Sequence, residues 1–280
     1  MKTLVVGDLH LKQPFVLPAI DALLAFDGEI GRVVFLGDAC DDWGASEADE
    51  LGAMRRYARW VAEHRGEGLA IDVLLGNHDF CYIRGKRGPG SVMTIMRELR
   101  GILEDDLQVR VACAVGPFVC SHAGLTNTWA RRHMGEALPP EALAFAAEAL
   151  AARLNEMLAD SANWEAFDSC PPSRGGWSLP GPLWADLHDL LDDPLDGVPQ
   201  IVGHTPVACV DGYVARGGSP GCKTLWACDT MSVTSLGMPI GDGSMLLVGE
   251  TGLAEPVPFP GGRDFQEACS EYWLQRRQMP

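Results

Sequence analysis

The sequence predicts an α/β protein built as two facing sheets with helices outside, and three observations carry that expectation. Short runs of β-branched and aliphatic residues recur through the first half of the chain, as in Leu4-Val5-Val6, Val33-Val34-Phe35-Leu36 and Val73-Leu74-Leu75. Stretches whose apolar residues return every three or four positions separate them, and such alternation implies crossover helices and a largely parallel sheet. The second half changes character, passing from one long helical stretch to short strands and turns that supply a second sheet.

In order, a strand at 4–6 leads to a helix over 16–26 and a strand at 33–36. A longer helix follows over 47–64, where Leu51, Met54, Tyr57, Trp60 and Val61 make one apolar face. Next come a strand at 71–75, a helix at 92–103 and strands at 109–115 and 118–120. Pro139-Pro140 opens a helix running to 159, because the first amides of a helix have no partner to lose. Its stripe of Leu143, Ala147, Leu150, Leu154 and Leu158 is read as ordinary burial. A loop rich in Pro, Gly and Trp spans 170–184. Strands are expected at 201–202, 207–210, 225–227 and 245–248, with Asp211-Gly212 as a hairpin turn and a closing helix at 264–277. The chain is read as one domain over 1–280, with the helix and loop of about 125–196 forming a partial cap.

Composition narrows the function. Of the 280 residues 47% are hydrophobic and 21% charged, an ordinary globular balance, and no apolar run reaches the ~20 residues a membrane helix needs. A net charge of −16 argues against general nucleic-acid or anionic-membrane binding, which relies on clustered Lys and Arg. Nine cysteines without a Cys-x-x-Cys pair fit free thiols in a reducing cytoplasm better than a disulfide framework or a zinc finger. The N-terminus runs straight into a strand, so a cleaved leader is not expected and the cytoplasm is the expected location.

Five islands carry the chemistry: Gly7-Asp8-Leu9-His10, Gly37-Asp38-Ala39-Cys40-Asp41, Gly76-Asn77-His78-Asp79, Ser121-His122-Ala123-Gly124 and Gly203-His204-Thr205. Each follows an apolar run, so each sits where a strand ends and a loop begins, the place where sites gather in an α/β sheet. Asp8 and His10, two residues apart, share one side of an extended segment. Asp38 offers two oxygens that can bridge two cations. Asn77 adds a neutral oxygen, and His122 and His204 add imidazoles. A mixed oxygen and nitrogen set suits Mn, Fe, Zn, Co or Ni rather than Ca, and two such ions ~3.5–4 Å apart form the clamp of phosphatases and nucleases.

Asp-x-His, Gly-Asp-x-x-Asp, Gly-Asn-His-Asp, His-Ala-Gly and Gly-His in this order, over residues 7–205, resemble the calcineurin-like metallophosphoesterases. Gly203-His204-Thr205-Pro206 lacks the second His of a Gly-His-x-His ending. With Cys120-Ser121-His122-Ala123-Gly124-Leu125, Leu183-Trp184-Ala185-Asp186 and Asp211-Gly212-Tyr213, this places the resemblance with the Ser/Thr protein phosphatases and the symmetrical dinucleoside tetraphosphate hydrolases. The resemblance implies a four-layer α/β/β/α sandwich of two mixed sheets, α+β in some schemes. It implies two divalent metal ions, with manganese expected to serve in vitro. One is held by Asp8, His10 and Asp38, the other by Asp38, Asn77, His122 and His204. It further implies that His78 protonates the leaving oxygen, that Asp41 orients His78, and that a hydroxide bridging the metals attacks phosphorus in line, without a phosphoenzyme.

The likeness departs at one place. Protein phosphatases continue the second motif with Arg-Gly, the Arg clamping phosphate; here the chain reads Asp41-Asp42-Trp43-Gly44, and the first motif ends His10-Leu11 rather than His-Gly. Losing one pre-organised donor to transition-state charge costs about 2.7–4 kcal/mol, so another cation must supply it. Arg84, Lys86, Arg87 and Arg174 are the candidates, and the 84–87 loop, leaving the sheet beside His78, is favoured, with Asn77 assisting. Trp164, Trp177 and Trp184 are assigned to packing, and His64, His133 and His188, outside every motif, to surface or packing roles. The expected activity is hydrolysis of phosphate monoesters, from a phosphoprotein or a small metabolite. Dinucleoside polyphosphate hydrolysis and a non-catalytic metal-binding scaffold are the alternatives.

Overall fold

The computed structural model describes residues 1–135, 146–218, 221, 223–262 and 264–278. Strand β1 (Lys2–Val6) is followed by α1 (Gln13–Phe26), β2 (Ile30–Phe35), α2 (Glu47–Gly66), β3 (Ala70–Val73) and α3 (Asn77–Arg84). Then come α4 (Met96–Gly101), β4 (Ala112–Val115), β5 (Phe118–Ser121), α5 (Asn127–Met134), α6 (Ala146–Ala159), α7 (Trp164–Phe167) and α8 (Leu187–Asp192). The chain closes with β6 (Gln200–Val202), β7 (Asp211–Tyr213), β8 (Leu225–Ala227), β9 (Met245–Val248), β10 (Ala254–Val257) and α9 (Phe265–Gln278).

The strands form two five-stranded sheets, ordered β10-β9-β1-β2-β3 and β4-β5-β6-β8-β7. Both are mixed: β1 runs parallel to β2 and antiparallel to β9, and β6 runs parallel to β5 and β8 while β4 and β7 run antiparallel to their neighbours. Side chains alternate with period two along a strand, and that alternation divides the core. Val5, Val34 and Leu246 of one sheet meet Cys113, Phe118, Cys120, Ile201 and Trp226 of the other in an inter-sheet layer. Their neighbours Leu4, Val6, Val33, Phe35 and Leu247 face outward to Val16, Ile20, Tyr57, Trp60 and Phe265 of the helices. The predicted sandwich of two mixed sheets flanked by helices is the observed fold. Arg32 ties its layers together, donating to Asp72 across β2 and β3 and to the Ala114 carbonyl of the facing sheet at 2.7 Å.

Helix ends follow local chemistry. Ser46 and Asp49 exchange bonds in a capping box at the start of α2, satisfying amides that have no partner within the helix. The sequence reading places a loop after the third island, but the structure starts α3 there. Asp79 accepts the Gly76 amide at 3.0 Å, and Gly85 ends the helix with φ +66°. The helix predicted over 92–103 is split into a 3₁₀ turn (Met93–Ile95), α4 and a π turn (Ile102–Asp106).

Two local expectations are corrected. Residues 207–210 form no strand, and Asp211-Gly212 is no turn but the start of β7, paired antiparallel to β8. Gly212 stands opposite Trp226, and a Cβ there would lie 3.0 Å from the indole, so the glycine makes room for a ring rather than for a bend. The predicted helix start at Pro139-Pro140, with Leu143, lies outside the described residues. Of the segment 125–196, α6 packs on the second sheet, where Asn155 bonds the Val111 and Ala112 backbone.

Candidate metal centre

All five islands end at one place. Asp8 follows β1, Asp38 follows β2, Asn77 opens α3 beyond β3, His122 follows β5 and His204 follows β6. The first three strands belong to one sheet and the last two to the other, so the ligands meet across the top of the inter-sheet layer. Two glycines permit the approach: a Cβ on Gly76 would sit 2.0 Å from Asp38 Oδ1, and one on Gly203 would sit 2.1 Å from Asp8 Oδ1. His10, Asp38, Asp41 and His204 all hold positive φ, at 39°, 48°, 62° and 63°. Non-glycine residues held in that region cost of order 1–3 kcal/mol each, and such strain collects at functional sites.

The donor atoms fall into two groups that share Asp38. Asp8, His10 and Asp38 bring their ligand atoms within 4.8 Å of one another, and so do Asp38, His122 and His204. Tautomers follow from the outer hydrogen bonds. His10 Nδ1 lies 2.8 Å from the Asp41 carbonyl and His122 Nδ1 lies 3.0 Å from the Leu36 carbonyl. Each donates there and turns the lone pair of Nε2 inward. His122 Nε2 then faces Asn77 Oδ1 at 3.0 Å, Asp38 Oδ2 at 3.3 Å and His204 Nδ1 at 3.1 Å. In a neutral imidazole that lone pair meets two oxygen acceptors, a repulsion that a proton or a metal cation among them relieves, and the mixed oxygen and nitrogen donor set fits a metal. The carboxylates carry the same message. Burial, with Asp229 and Asp38 nearby, pushes Asp8 well above its ordinary range. Burial also opposes charge on Asp38, yet His122, His78 and His10 reverse it and hold that carboxylate well below its usual range. Burial, His122 and Arg174 drive His204 well below the usual imidazole value.

His78 lies beside this cluster with a different partner. Its Nδ1 is 3.0 Å from Asp41 Oδ2, and its ring meets that of His10 edge-on at 5.2 Å. Asp41 also accepts a bond from the Tyr82 hydroxyl, and its amide donates to Glu50 Oε1 at 3.0 Å. Burial lowers His78, but Asp38 and Asp41 more than reverse this and raise it to about 9. The two carboxylates thereby favour the protonated imidazole.

Glu50 sets up a separate test. It is fully buried, its Oε2 has no partner among the described residues, and burial pushes it from 4.5 up to about 8. The folded chain holds a proton that the unfolded chain releases near 4.5. That contribution is therefore complete below 4.5 and lost as pH rises through 8. Glu50→Gln is expected to stabilise the fold by roughly 2–4 kcal/mol at about pH 8.5 and to make no difference near about pH 4.5; urea melts across pH check it.

A pocket of about 450 Å³ opens above the cluster. His10, Asp38, Asn77, His78 and His204 form its floor, and Trp43, Arg174, Trp184, Val233 and Ile240 stand around it. Arg84 and Arg87 do not line it. Arg84 ends α3 pointing away, paired with Glu165 and Asp168, and Arg87 is exposed. The guanidinium at the pocket is Arg174. Its Nη2 donates to Thr205 Oγ1 at 2.7 Å and its Nε pairs with Asp186 at 3.0 Å, which leaves Nη1 without a partner among the described residues. Trp184, assigned from sequence to packing, is also at the pocket wall, its indole donating to Asp168. Asp42, which stands where the protein-phosphatase pattern has its Arg, has an enclosed side chain paired with Lys12 at 3.5 Å and with Arg276 of α9 at 2.9 Å.

Three residues escaped the sequence reading. Asp79 joins two islands, accepting the Ala39 and Cys40 amides at 3.1 and 3.0 Å as well as that of Gly76; its place in Gly-Asn-His-Asp was the available signal. Asp229, buried near Asp8 and His10 and bonded to Ser232 at 2.9 Å, follows β8 as the other acids follow their strands. Arg276 had no signal, because its partner is 234 positions away.

The calcineurin-like phosphoesterase family model matches residues 1–208, which takes in every island. The chain belongs to the calcineurin-like phosphoesterase family. It is therefore a metal-dependent hydrolase of phosphate esters, with candidate ligand groups in place. Among solved structures, the phosphoesterase is similar to the cold-active protein-tyrosine phosphatase of the psychrophile Shewanella sp., at 18% identity and a TM-score of 0.47, over 91% of this chain and 80% of that one. It is also similar to a 1.1 Å structure of a cold-active protein tyrosine phosphatase, at 18% identity and a TM-score of 0.50, over 91% and 78%. At that identity the second likeness shows a shared fold. Nothing among curated proteins matches the phosphoesterase. Among its described residues no helix is long and apolar enough to cross a membrane.

Proposed function

We propose that this phosphoesterase hydrolyses phosphate monoesters by direct attack of water on phosphorus, with two divalent cations at the shared cluster. The observation that carries the reading is the meeting of two ligand groups through Asp38, with the His78–Asp41 pair beside them. Asp8, His10 and Asp38 would hold one cation, and Asp38, Asn77, His122 and His204 the other. Bound there, manganese or a similar ion would neutralise phosphate charge and make hydroxide available near neutral pH.

The chain's own residues supply the rest. His78, protonated and fixed by Asp41, donates to the departing oxygen, since an alkoxide leaves poorly without a proton. Tyr82 and His78 occupy both Asp41 oxygens, so the carboxylate cannot swing away from the ring. Arg174, rather than Arg84 or Arg87, takes the part of phosphate clamp: it is the guanidinium at the pocket and retains unused donors. Free thiols at all eight described cysteines, six of them buried, support a reducing compartment such as the cytoplasm.

Protein stripped with a chelator and reloaded with Mn²⁺ is assayed against para-nitrophenyl phosphate, its bis-ester, a phosphopeptide and diadenosine tetraphosphate. Activity restored by metal and greatest on a monoester supports the reading. Preference for the tetraphosphate would instead favour phosphoanhydride hydrolysis, and inactivity with metal bound a scaffold. Arg174→Ala is expected to lower kcat/KM on monoesters by about 10²–10³-fold. Arg84→Ala, by contrast, is expected to act mainly on stability.

A further inference from the structure

The pocket above the cluster is polar at its floor and apolar at its walls. Trp43, 56% exposed, Val233 and Ile240, the last 41% exposed, all line it. Trp43 is not on a loose loop. Its amide donates to Asp42 Oδ1 at 2.8 Å, its carbonyl accepts from Arg276, and Asp42 is held in turn by Arg276 and Lys12. Ile240 is held too, since its amide donates to the Ser232 carbonyl at 3.0 Å and the neighbouring Val233 bridges Pro239. A large exposed apolar surface kept on a fixed backbone beside a reactive floor calls for something apolar to cover it.

The polar groups of the walls are already committed. Asp41 binds His78 and Tyr82, Asp42 binds its two cations, Ser232 binds Asp229, and the Trp184 indole binds Asp168. Little remains to read the hydrogen-bonding edge of a nucleobase. Charge points the same way. Arg174 is the one Lys or Arg among the described residues lining the pocket, while Asp41 and Asp42 also line it. A single phosphoryl group is matched by that guanidinium and the cluster; no second Lys or Arg among the described lining residues would meet a chain of phosphates.

We propose that the substrate is an aryl phosphate, a monoester whose leaving group is a flat apolar ring packing on Trp43 among the apolar residues of that pocket. This rests on the phosphoesterase reading and gives it a substrate class. The shared chemistry has two sources, the phosphotyrosine of a peptide and a small aryl phosphate. The Trp43 loop sits where the protein-phosphatase pattern has its clamping Arg, so the departure at Asp42-Trp43 exchanges a phosphate contact for a ring contact. Indole and ring would stack in an offset or edge-on arrangement, in the same pocket that His78 lines.

Aryl esters react faster than alkyl esters without any enzyme, so the test is binding rather than turnover. Phenylphosphonate, methylphosphonate and inorganic phosphate are titrated calorimetrically into the Mn²⁺-loaded protein. Phenylphosphonate is expected to bind about 10-fold or more tighter than methylphosphonate. Trp43→Ala should collapse that ratio toward one, and Trp43→Phe should restore most of it. A ratio near one in the native protein, or a ratio unmoved in Trp43→Ala, overturns the aryl assignment while phosphate binding and monoester turnover leave the phosphoesterase reading standing. Failure to bind phosphate at all, together with no turnover of any ester, overturns both. Comparing kcat/KM for a phosphotyrosyl peptide and for free phosphotyrosine separates the sources: a peptide preferred by 10-fold or more, on the order of one binding contact, assigns the protein source, and equal values assign the small molecule.

Discussion

Replacing Asp38 with Asn is expected to abolish turnover, lowering kcat by ~10³-fold or more. Asp38 is the residue common to both ligand groups, so no other single substitution touches both proposed cations. Its Oδ1 accepts the His78 amide at 2.9 Å, and its Oδ2 faces His122 Nε2 at 3.3 Å and His10 Nε2 at 3.8 Å. Asn keeps the shape and can still accept from His78. It puts an NH₂ where a charged oxygen stood, however, and that NH₂ donates to the His122 lone pair instead of joining it around a cation. Metal content measured on the purified variant should fall from about two ions per chain to one or fewer. The metal-free fold should keep its melting temperature or gain, because a buried charge has been removed. Turnover at the native rate would refute the shared-cation reading outright.

His78→Asn is expected to be the next most damaging change, and its effect should depend on the leaving group. General acid help is worth about 10²–10⁴-fold. The loss should therefore approach the upper figure for phenyl or alkyl esters and shrink for para-nitrophenyl phosphate, whose oxygen leaves without a proton. The pH profile gives a second reading. His78 acts as the protonated form, so activity falls as pH rises through its pKa, which Asp38 and Asp41 hold up against burial at about 9; bound cations would draw that limb to lower pH. The variant should lose the alkaline limb. Equal losses on all esters, with the limb retained, would assign the proton to another group.

What could be read from sequence divides along a physical line. The apolar runs Leu4–Val6 and Val33–Leu36 are local signals, and so is the pairing of strand end with candidate ligand, so the sandwich and the meeting of Asp8, Asp38 and His204 at one point could be read before any geometry. Arg84 shows the limit. Its nearness in sequence to His78 suggested nearness in space, but α3 forms between them and carries it to Glu165 and Asp168. Arg174 and Trp43 reach the pocket from loops whose course no periodicity encodes. Asp211-Gly212 misled for a related reason, since a turn dipeptide is also what a strand uses when a facing tryptophan needs the space.

The tie between Asp42 and Arg276 gives the site a timetable. The islands are made early, four of them within the first 124 residues, yet the loop after Asp41 is anchored by a guanidinium at 276, and the Leu11 carbonyl by Tyr272 at 2.7 Å. Strand β9, which pairs with β1, is also a late product. During synthesis the proposed ligands therefore emerge before the guanidinium that anchors the Trp43 loop. The proposed ligand set is complete in sequence by His204, while the anchor of the Trp43 loop is still 72 residues away.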